Sequence, residues 1–368
     1  MQIIKTTQLE EGMVTALPVK TKHGQLIIND GVSLTDQLIA RISFYGIPSV
    51  PIEGDAVEAP ASEASKTIPK GNVQEPTYSQ RVKSSSLFQT FQFDYSRSTG
   101  DIKTSLSSII SGNGLDAINP LFETAMSLLK ETRNSIEMFD MLHNMRSVDD
   151  SIYAHSLNVA LITGMLGKWL KMSKEDFDLL ILAALLHDIG KAKIPPEILN
   201  KPGKYTDEEF ALVRKHPTLG YEILLQYPQL DNRVKNAALM HHERCDGSGY
   251  PQNLKGTEID DFAQIIAIAD VYDAMTAARS YRAPLCPFQV IAAFEKDGLA
   301  KYNPKFILTF LEHIASTYQQ NRVLLSDGRG ANIIMLNKQS LSRPIVQLGD
   351  GSCLDLSRTP EITIQSLL

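Results

Sequence analysis

The sequence predicts a mostly α-helical protein with a small α+β module at its N-terminus and a β-rich appendage at its C-terminus. Three observations predict this class. A helical spacing of apolar residues sets in at about residue 104 and persists to about 319. Before residue 53 and after residue 320, short strand-like runs alternate with Gly- and Asp-containing turns. Between the first module and the helices, residues 54–83 are rich in Glu, Ala, Ser, Pro and Lys and poor in large apolar side chains, so a linker, disordered by composition, is expected there. The expected organisation is a regulatory or docking module over 1–53, a linker over 54–83, a helical domain with its preceding helices over 84–319, and a β-rich appendage over 320–368.

In the first module, Met13–Val19 and Gln25–Ile28 read as strands about the turn Lys22-His23-Gly24, a short helix is expected over Asp36–Phe44, and Pro48–Ile52 reads as a further strand. Ser173 with Asp176 resembles an N-cap pairing that opens a helix ending at His187. Thr206 with Glu209 has the capping-box pattern for a helix reaching His216, and Gly190 suits the stop after His187-Asp188. Ala331–Leu336, Pro344–Leu348 and Ile362–Ile364 read as strands separated by Asp-Gly turns.

Bulk properties narrow the function classes. The 368 residues, 43% hydrophobic and 21% charged, have the composition of a globular protein large enough for two or three domains. A net charge of −6 gives no support for binding a nucleic acid polymer. No apolar run reaches the roughly 18 residues of a membrane span, and no signal-peptide pattern opens the chain. Cys245, Cys286 and Cys353 are scattered and suggest no disulfide framework. A cytoplasmic location is the expectation.

The chemistry concentrates in the histidines. Five of the eight fall between residues 155 and 242, and three of these sit in two doublets that end apolar helical runs. Ala183-Ala184-Leu185-Leu186 leads into His187-Asp188, and Ala237-Ala238-Leu239-Met240 into His241-His242. A third apolar run, Ile265–Ala269, leads into Asp270. Imidazoles and carboxylates delivered by apolar helices are costly to bury unless they are paired or hold metal. The set therefore reads as one metal site, and N/O donors without thiolate suit Fe, Mn, Zn or Co.

The ordered set His187-Asp188, Lys191, His241-His242-Glu243 followed by Asp246-Gly247-Ser248-Gly249-Tyr250-Pro251, and Asp270-Val271-Tyr272-Asp273 resembles the HD-GYP family, bacterial phosphodiesterases of cyclic dimeric GMP within the HD phosphohydrolase superfamily. The resemblance covers roughly residues 140–310 and implies an HD-type helical bundle. It implies two divalent ions, iron or manganese, held by His155, His187, Asp188, His216, His241, His242 and Asp270. Asp188 would bridge, with His155, His187 and Asp270 completing one ion and His216, His241 and His242 the other. Asp188 and Lys191 are the expected catalytic residues: a hydroxide generated between two cations attacks phosphorus, and the ammonium meets the developing charge.

Arg279, Arg282, Asp273, Gly249 and Tyr250 are the expected substrate contacts. Asp273 is also read as a residue that orients a ligand or pairs with an arginine, and the Gly-Tyr-Pro loop as lying near substrate. The implied partners are cyclic dimeric GMP and a protein docking at that loop or at the N-terminal module, and the resemblance admits a homodimer. Some relatives hold a third metal through a glutamate one turn before the first histidine; Ser151 stands at that position and predicts a two-metal centre. The alternatives are a phosphohydrolase of another cyclic dinucleotide or a nucleotide, and a cyclic-dinucleotide sensor that turns over slowly.

Overall fold

The computed structural model describes residues 82–132, 135–145, 151–201, 203–277 and 284–368, together with 2–6, 9, 12–20, 26–28, 30–34, 42, 47 and 49–52 of the N-terminal region. The chain divides into two compact units, Met1–Val73 and Gln74–Leu368. In the first, β1 (Gln2–Lys5) pairs antiparallel with β4 (Ser49–Ile52), and β2 (Val19–Lys20) with β3 (Leu26–Ile28). Leu9, Val19, Ile28, Leu34, Ile42, Val50 and Ile52 form its buried cluster. Most of the helix expected over 36–44 and nearly all of the linker expected over 54–83 lie outside the described residues.

The second unit is helical at its centre. It opens with α1 (Ser86–Ile110), whose N-cap Ser85 accepts from the Phe88 N–H. This helix begins well before the periodicity noted from residue 104, because its Ser- and Thr-rich stretches blur an apolar stripe that nonetheless buries Phe88, Phe91, Tyr95 and Ile102. There follow α2 (Ile118–Glu131), α3 (Ser135–Met145), α4 (Ile152–Trp169) and α5 (Lys174–Leu186). Burial of α4 is nearly continuous from Ala154 to Gly167, as expected of a helix enclosed by others. It packs against α1, α2 and α5, and the Tyr95 hydroxyl of α1 donates to Asn158 Oδ1 on α4 at 2.7 Å.

After α5 come a 3₁₀ turn (Ile189–Lys193), α6 (Pro196–Leu199), α7 (Asp207–Val213), α8 (His216–Leu225) and α9 (Asn232–Met240). Next are α10 (Asp261–Thr276), α11 (Pro287–Lys301) and α12 (Pro304–Thr317). The expected capping box is present: Thr206 Oγ1 accepts from the Glu209 N–H, and Glu209 accepts in return from the Thr206 N–H at 2.7 Å. At α5, Ser173 caps as expected, accepting from the Asp176 N–H, but the Asp176 carboxylate turns to Arg233 at 2.6 Å.

Five antiparallel strands close the chain, β5 (Arg322–Leu325), β6 (Gly330–Met335), β7 (Ile345–Leu348), β8 (Cys353–Asp355) and β9 (Ile364–Leu367), in the order β8-β7-β6-β5-β9. Their inner residues Val323, Leu325, Ile333, Val346 and Ile364 belong to the same buried cluster as the helices. Glu295 of α11 accepts from the Leu341 N–H and from the Ser342 hydroxyl, which ties the β6–β7 connection to the bundle. Among the described residues, no helix is long and apolar enough to cross a membrane.

Candidate metal centre

Three helix ends and two helix faces converge on one buried carboxylate. His187 caps the C-terminus of α5 and Asp188 follows it, while His216 opens α8. His241 caps the C-terminus of α9 with His242 next, and His155 lies on α4 and Asp270 on α10. Asp188 Oδ2 lies 3.4 Å from His155 Nε2 and 3.3 Å from His187 Nε2. Asp188 Oδ1 lies 3.2 Å from His216 Nε2 and 3.5 Å from His241 Nε2. Asp270 Oδ1 approaches His155 Nε2 at 3.2 Å, and Asp270 Oδ2 lies 4.0 Å from His242 Nδ1. Donor atoms of Asp188, His216, His241 and His242 fall within 4.8 Å of one another, as do those of His155, His187 and Asp188.

Local structure sets the imidazole tautomers. The Nδ1–H of His187 donates to the Ala184 carbonyl (2.7 Å), that of His216 to Val213 (2.7 Å) and that of His241 to Ala238 (3.0 Å). Carbonyls only accept, so in the neutral rings Nδ1 carries the hydrogen and Nε2 keeps a lone pair aimed inward. His155 follows the same rule through a carboxylate, its Nδ1 lying 2.8 Å from Asp273 Oδ2. That contact places Asp273. The sequence offered it both as a substrate contact and as a residue that orients a ligand; its carboxylate is buried beside His155 Nδ1, the arrangement of the second reading.

Electrostatics agree with a cation-binding role. Burial, with His241 adding to it, pushes His242 well down. Burial likewise takes His241 down to about 4, so both rings are neutral donors near pH 7. Burial opposes ionisation of Asp188, but the Lys191 ammonium and His187 outweigh it and hold the carboxyl well below the usual range. Asp270 is held down in the same way, burial being outweighed by the His155 contact. Burial opposes the charged form of His155, yet Asp188, Asp270 and Asp273 raise it well above an ordinary imidazole.

Two features mark the cluster as incomplete with protein atoms alone. His216 Nε2 and His241 Nε2 face each other at 3.2 Å, although their Nδ1–H groups are already committed. His187 Nε2 and Asp188 Oδ1 are buried without a hydrogen-bond partner. Divalent cations among these atoms would satisfy both features, so the residues present fit the metal that the chemistry implies. Lys191, one turn beyond His187, donates its ammonium to Asp188 Oδ2 at 2.5 Å and stands at the edge of the cluster.

The loop after His242 is pinned from beneath. Glu243 is buried, and its carboxylate accepts from the backbone N–H of Gln252 (2.6 Å) and of Leu254 (3.0 Å). Its place in His-His-Glu marked the motif, but only the fold assigns it this task. Gly249 is required by space, since a Cβ there would stand 2.4 Å from Glu243 Cα. It supports the loop by packing, and its carbonyl accepts from Asn253. The Tyr250–Pro251 peptide is cis. The Tyr250 ring stacks on His242, with centroids 4.7 Å apart and planes at 25°. Arg244, which sequence reasoning passed over, donates to the His241 and Glu243 carbonyls at the end of α9. Arg279 and Arg282 lie outside the described residues.

Replacing Glu243 with Ala removes the acceptor for two loop N–H groups. The expected result is unchanged helical content, a Tyr250–Pro251 loop with faster amide exchange, and a stability loss of about 1–3 kcal/mol from the unpaired groups. Hydrogen exchange at Gln252 and Leu254 that matches the parent protein would count against this role.

Comparison with known proteins places the architecture. Residues 126–306 match the family model described as HD domain. The chain is 36% identical over 208 residues to a cyclic di-GMP phosphodiesterase of Pseudomonas aeruginosa, covering 56% of this chain and 50% of that protein. It is 36% identical over 186 residues to a 3'3'-cGAMP-specific phosphodiesterase of Vibrio cholerae, covering 50% of this chain and 35% of that protein. The chain thus spans half or less of the length of these two relatives. Among solved structures, an HDG"Y"P protein from Bdellovibrio bacteriovorus shares the fold with a TM-score of 0.52 at 16% identity, covering 85% of this chain and 99% of that one. Residues 126–306 thus form an HD domain, and the motif residues gathered on its helical frame are those by which the chain resembles the HD-GYP family.

Proposed function

We propose that this chain is a metal-dependent phosphodiesterase that hydrolyses cyclic dimeric GMP. The observation that carries the reading is Asp188: one buried carboxylate whose two oxygens each meet a separate pair of imidazole nitrogens. In this reading His155, His187 and Asp270 would hold one ion together with Asp188, and His216, His241 and His242 would hold a second together with Asp188. The N/O donor set suits Fe, Mn, Zn or Co better than soft metals, and the resemblance to the HD-GYP family favours iron or manganese among them. When bound, two divalent cations supply positive charge for phosphate oxygens and make water acidic enough to act near neutral pH.

The protein's own groups do the rest. Asp273 keeps His155 in its ligating orientation. Carbonyls of Ala184, Val213 and Ala238 do the same for His187, His216 and His241. Lys191 holds an ammonium beside Asp188, where it stabilises charge developing on the phosphate. Hydrolysis breaks one P–O ester bond, water oxygen forms the new bond to phosphorus, and the leaving sugar oxygen takes up a proton. Arg279 and Arg282 remain the proposed phosphate contacts.

The decisive experiment incubates manganese- or iron(II)-loaded protein with cyclic dimeric GMP and separates the products. Linear dinucleotide or GMP is expected, and intact substrate with confirmed metal loading would overturn the reading. The 36% identity to a 3'3'-cGAMP-specific enzyme favours a second reading, in which that mixed dinucleotide is the preferred substrate. Parallel assays decide between them.

The proposed stoichiometry is two ions. Ser151 is the N-cap of α4 and accepts from the Ala154 N–H at 3.1 Å, so the position where a third-metal glutamate would stand is given to helix capping. Elemental analysis is expected to find two ions per chain, and three would refute it. Ser151→Glu is expected to raise third-ion occupancy while costing the helix cap about 1 kcal/mol.

A further inference from the structure

Arg214 ends α7, two residues before His216, and its side chain lies on the rim of the metal cluster. Its guanidinium carbon stands 4.5 Å from the centroid of the Tyr250 ring, the same ring that stacks on His242. Phe210, 48% exposed, lies 6.0 Å away from it. The sequence of contacts His242, Tyr250, Arg214 therefore leads from the cluster to solvent.

Other arginines in the bundle and sheet spend their N–H groups internally. Arg233 donates to Asp231 and Asp176, Arg244 to the His241 and Glu243 carbonyls, and Arg343 to those of Leu356, Ile362 and Pro360. Among the described residues, no group accepts from the Arg214 guanidinium and no carboxylate pairs with it. It is exposed, charged and planar, its carbon lies over the Tyr250 ring, and its N–H donors are left for a ligand.

We propose that Arg214 is a specificity-determining residue that reads a guanine base of the substrate. This rests on the reading of the chain as a cyclic-dinucleotide phosphodiesterase. A guanidinium offers only donors, and guanine presents two adjacent acceptors, O6 and N7, that a planar fork meets with two parallel hydrogen bonds. Adenine presents N7 beside an amino donor, so the same fork meets one acceptor and one repelling N–H. Its place over the Tyr250 ring restricts the guanidinium in advance, which lowers the ordering cost of forming both bonds.

The test compares kcat/KM for cyclic dimeric GMP and cyclic dimeric AMP in the parent protein, Arg214→Ala and Arg214→Lys, with metal content measured in each. The parent is expected to prefer the guanine substrate. Arg214→Ala should reduce that preference by roughly ten- to a hundred-fold, and Arg214→Lys, which keeps the charge but not the fork, should recover little of it. Metal content should be unchanged in both variants. A parent with no guanine preference, or a variant that weakens both substrates equally, would overturn the assignment; an equal loss means that Arg214 serves a phosphate or only props Tyr250. If the metal-loaded parent hydrolyses neither substrate, the phosphodiesterase reading fails on its own. Calorimetric binding of the two dinucleotides then tests Arg214 by the same ratio, and binding of neither overturns both.

Discussion

Asp188→Asn is expected to abolish bound metal and hydrolysis together while leaving the helical content in place. The substitution keeps the side chain's size but replaces one oxygen with an N–H donor and removes the charge. In the parent protein both oxygens face imidazole Nε2 atoms, two within 3.4 Å of Oδ2 and two within 3.5 Å of Oδ1. An amide cannot offer lone pairs to both sides, and its N–H₂ would point at nitrogens already aimed at a cation. The fold should survive because the surrounding packing comes from residues such as Leu185, Leu186 and Ile189, which are buried independently of the carboxylate. The side chain of Lys191, 22% exposed, can turn its ammonium to water once its partner is neutral, which moderates the cost of an unpaired buried charge. Elemental analysis, product separation and far-ultraviolet circular dichroism on one preparation check all three expectations. A variant that keeps stoichiometric metal would remove Asp188 from its proposed bridging place.

Gly190→Ala carries the next largest expected effect, and it acts through the backbone. A Cβ at Gly190 would stand 2.0 Å from the His216 carbonyl oxygen and 2.4 Å from the Gly220 nitrogen. Both obstructing atoms belong to the main chain of α8, so no rotamer change relieves the clash. The 3₁₀ turn over Ile189–Lys193 must then move away from α8, and His187-Asp188 separates from His216. Overpacking of this kind costs about 3 kcal/mol or more, and the melting temperature should fall by roughly 5 °C or more. Metal content should fall with it, because the two halves of the cluster no longer meet. Gly220→Ala supplies a graded control: its Cβ would meet nothing closer than 3.2 Å, a contact that small shifts can absorb. Equal melting temperatures for the parent and Gly190→Ala would show that the turn and α8 are not in the contact described.

The glycine shows where sequence reasoning stops. Its place after His187-Asp188 read as a helix stop, and α5 does end at Leu186, but nothing local announces that His216, 26 positions on, packs against it. Asp273 makes the same point. Three residues after Asp270 it shares a helical face, which is visible in the sequence. Whether that face meets substrate or the back of His155 depends on how α10 lies against α4. Arg214 and Arg244 were passed over because an exposed or loop arginine carries no local mark of its partner. In the C-terminal appendage β6 and β7 were legible from their runs and turns and β9 in part, whereas β5 and β8 were not, and the sharing of the helical core was hidden too, since that depends on which faces Val323, Ile333 and Val346 bury.

The sequence by itself determined which chemistry the chain carries. Apolar helical runs that end in His-Asp and His-His, a capping box, and glycines at turns are local patterns, set by spacing of a few residues and by backbone preference. The tertiary structure alone decided how that chemistry is arranged: which oxygen of Asp188 meets which imidazole, which acceptor orients each ring, and which groups reach the rim. Those contacts join residues tens of positions apart, and their geometry follows from packing of whole helices against one another, a quantity that no short stretch of chain encodes.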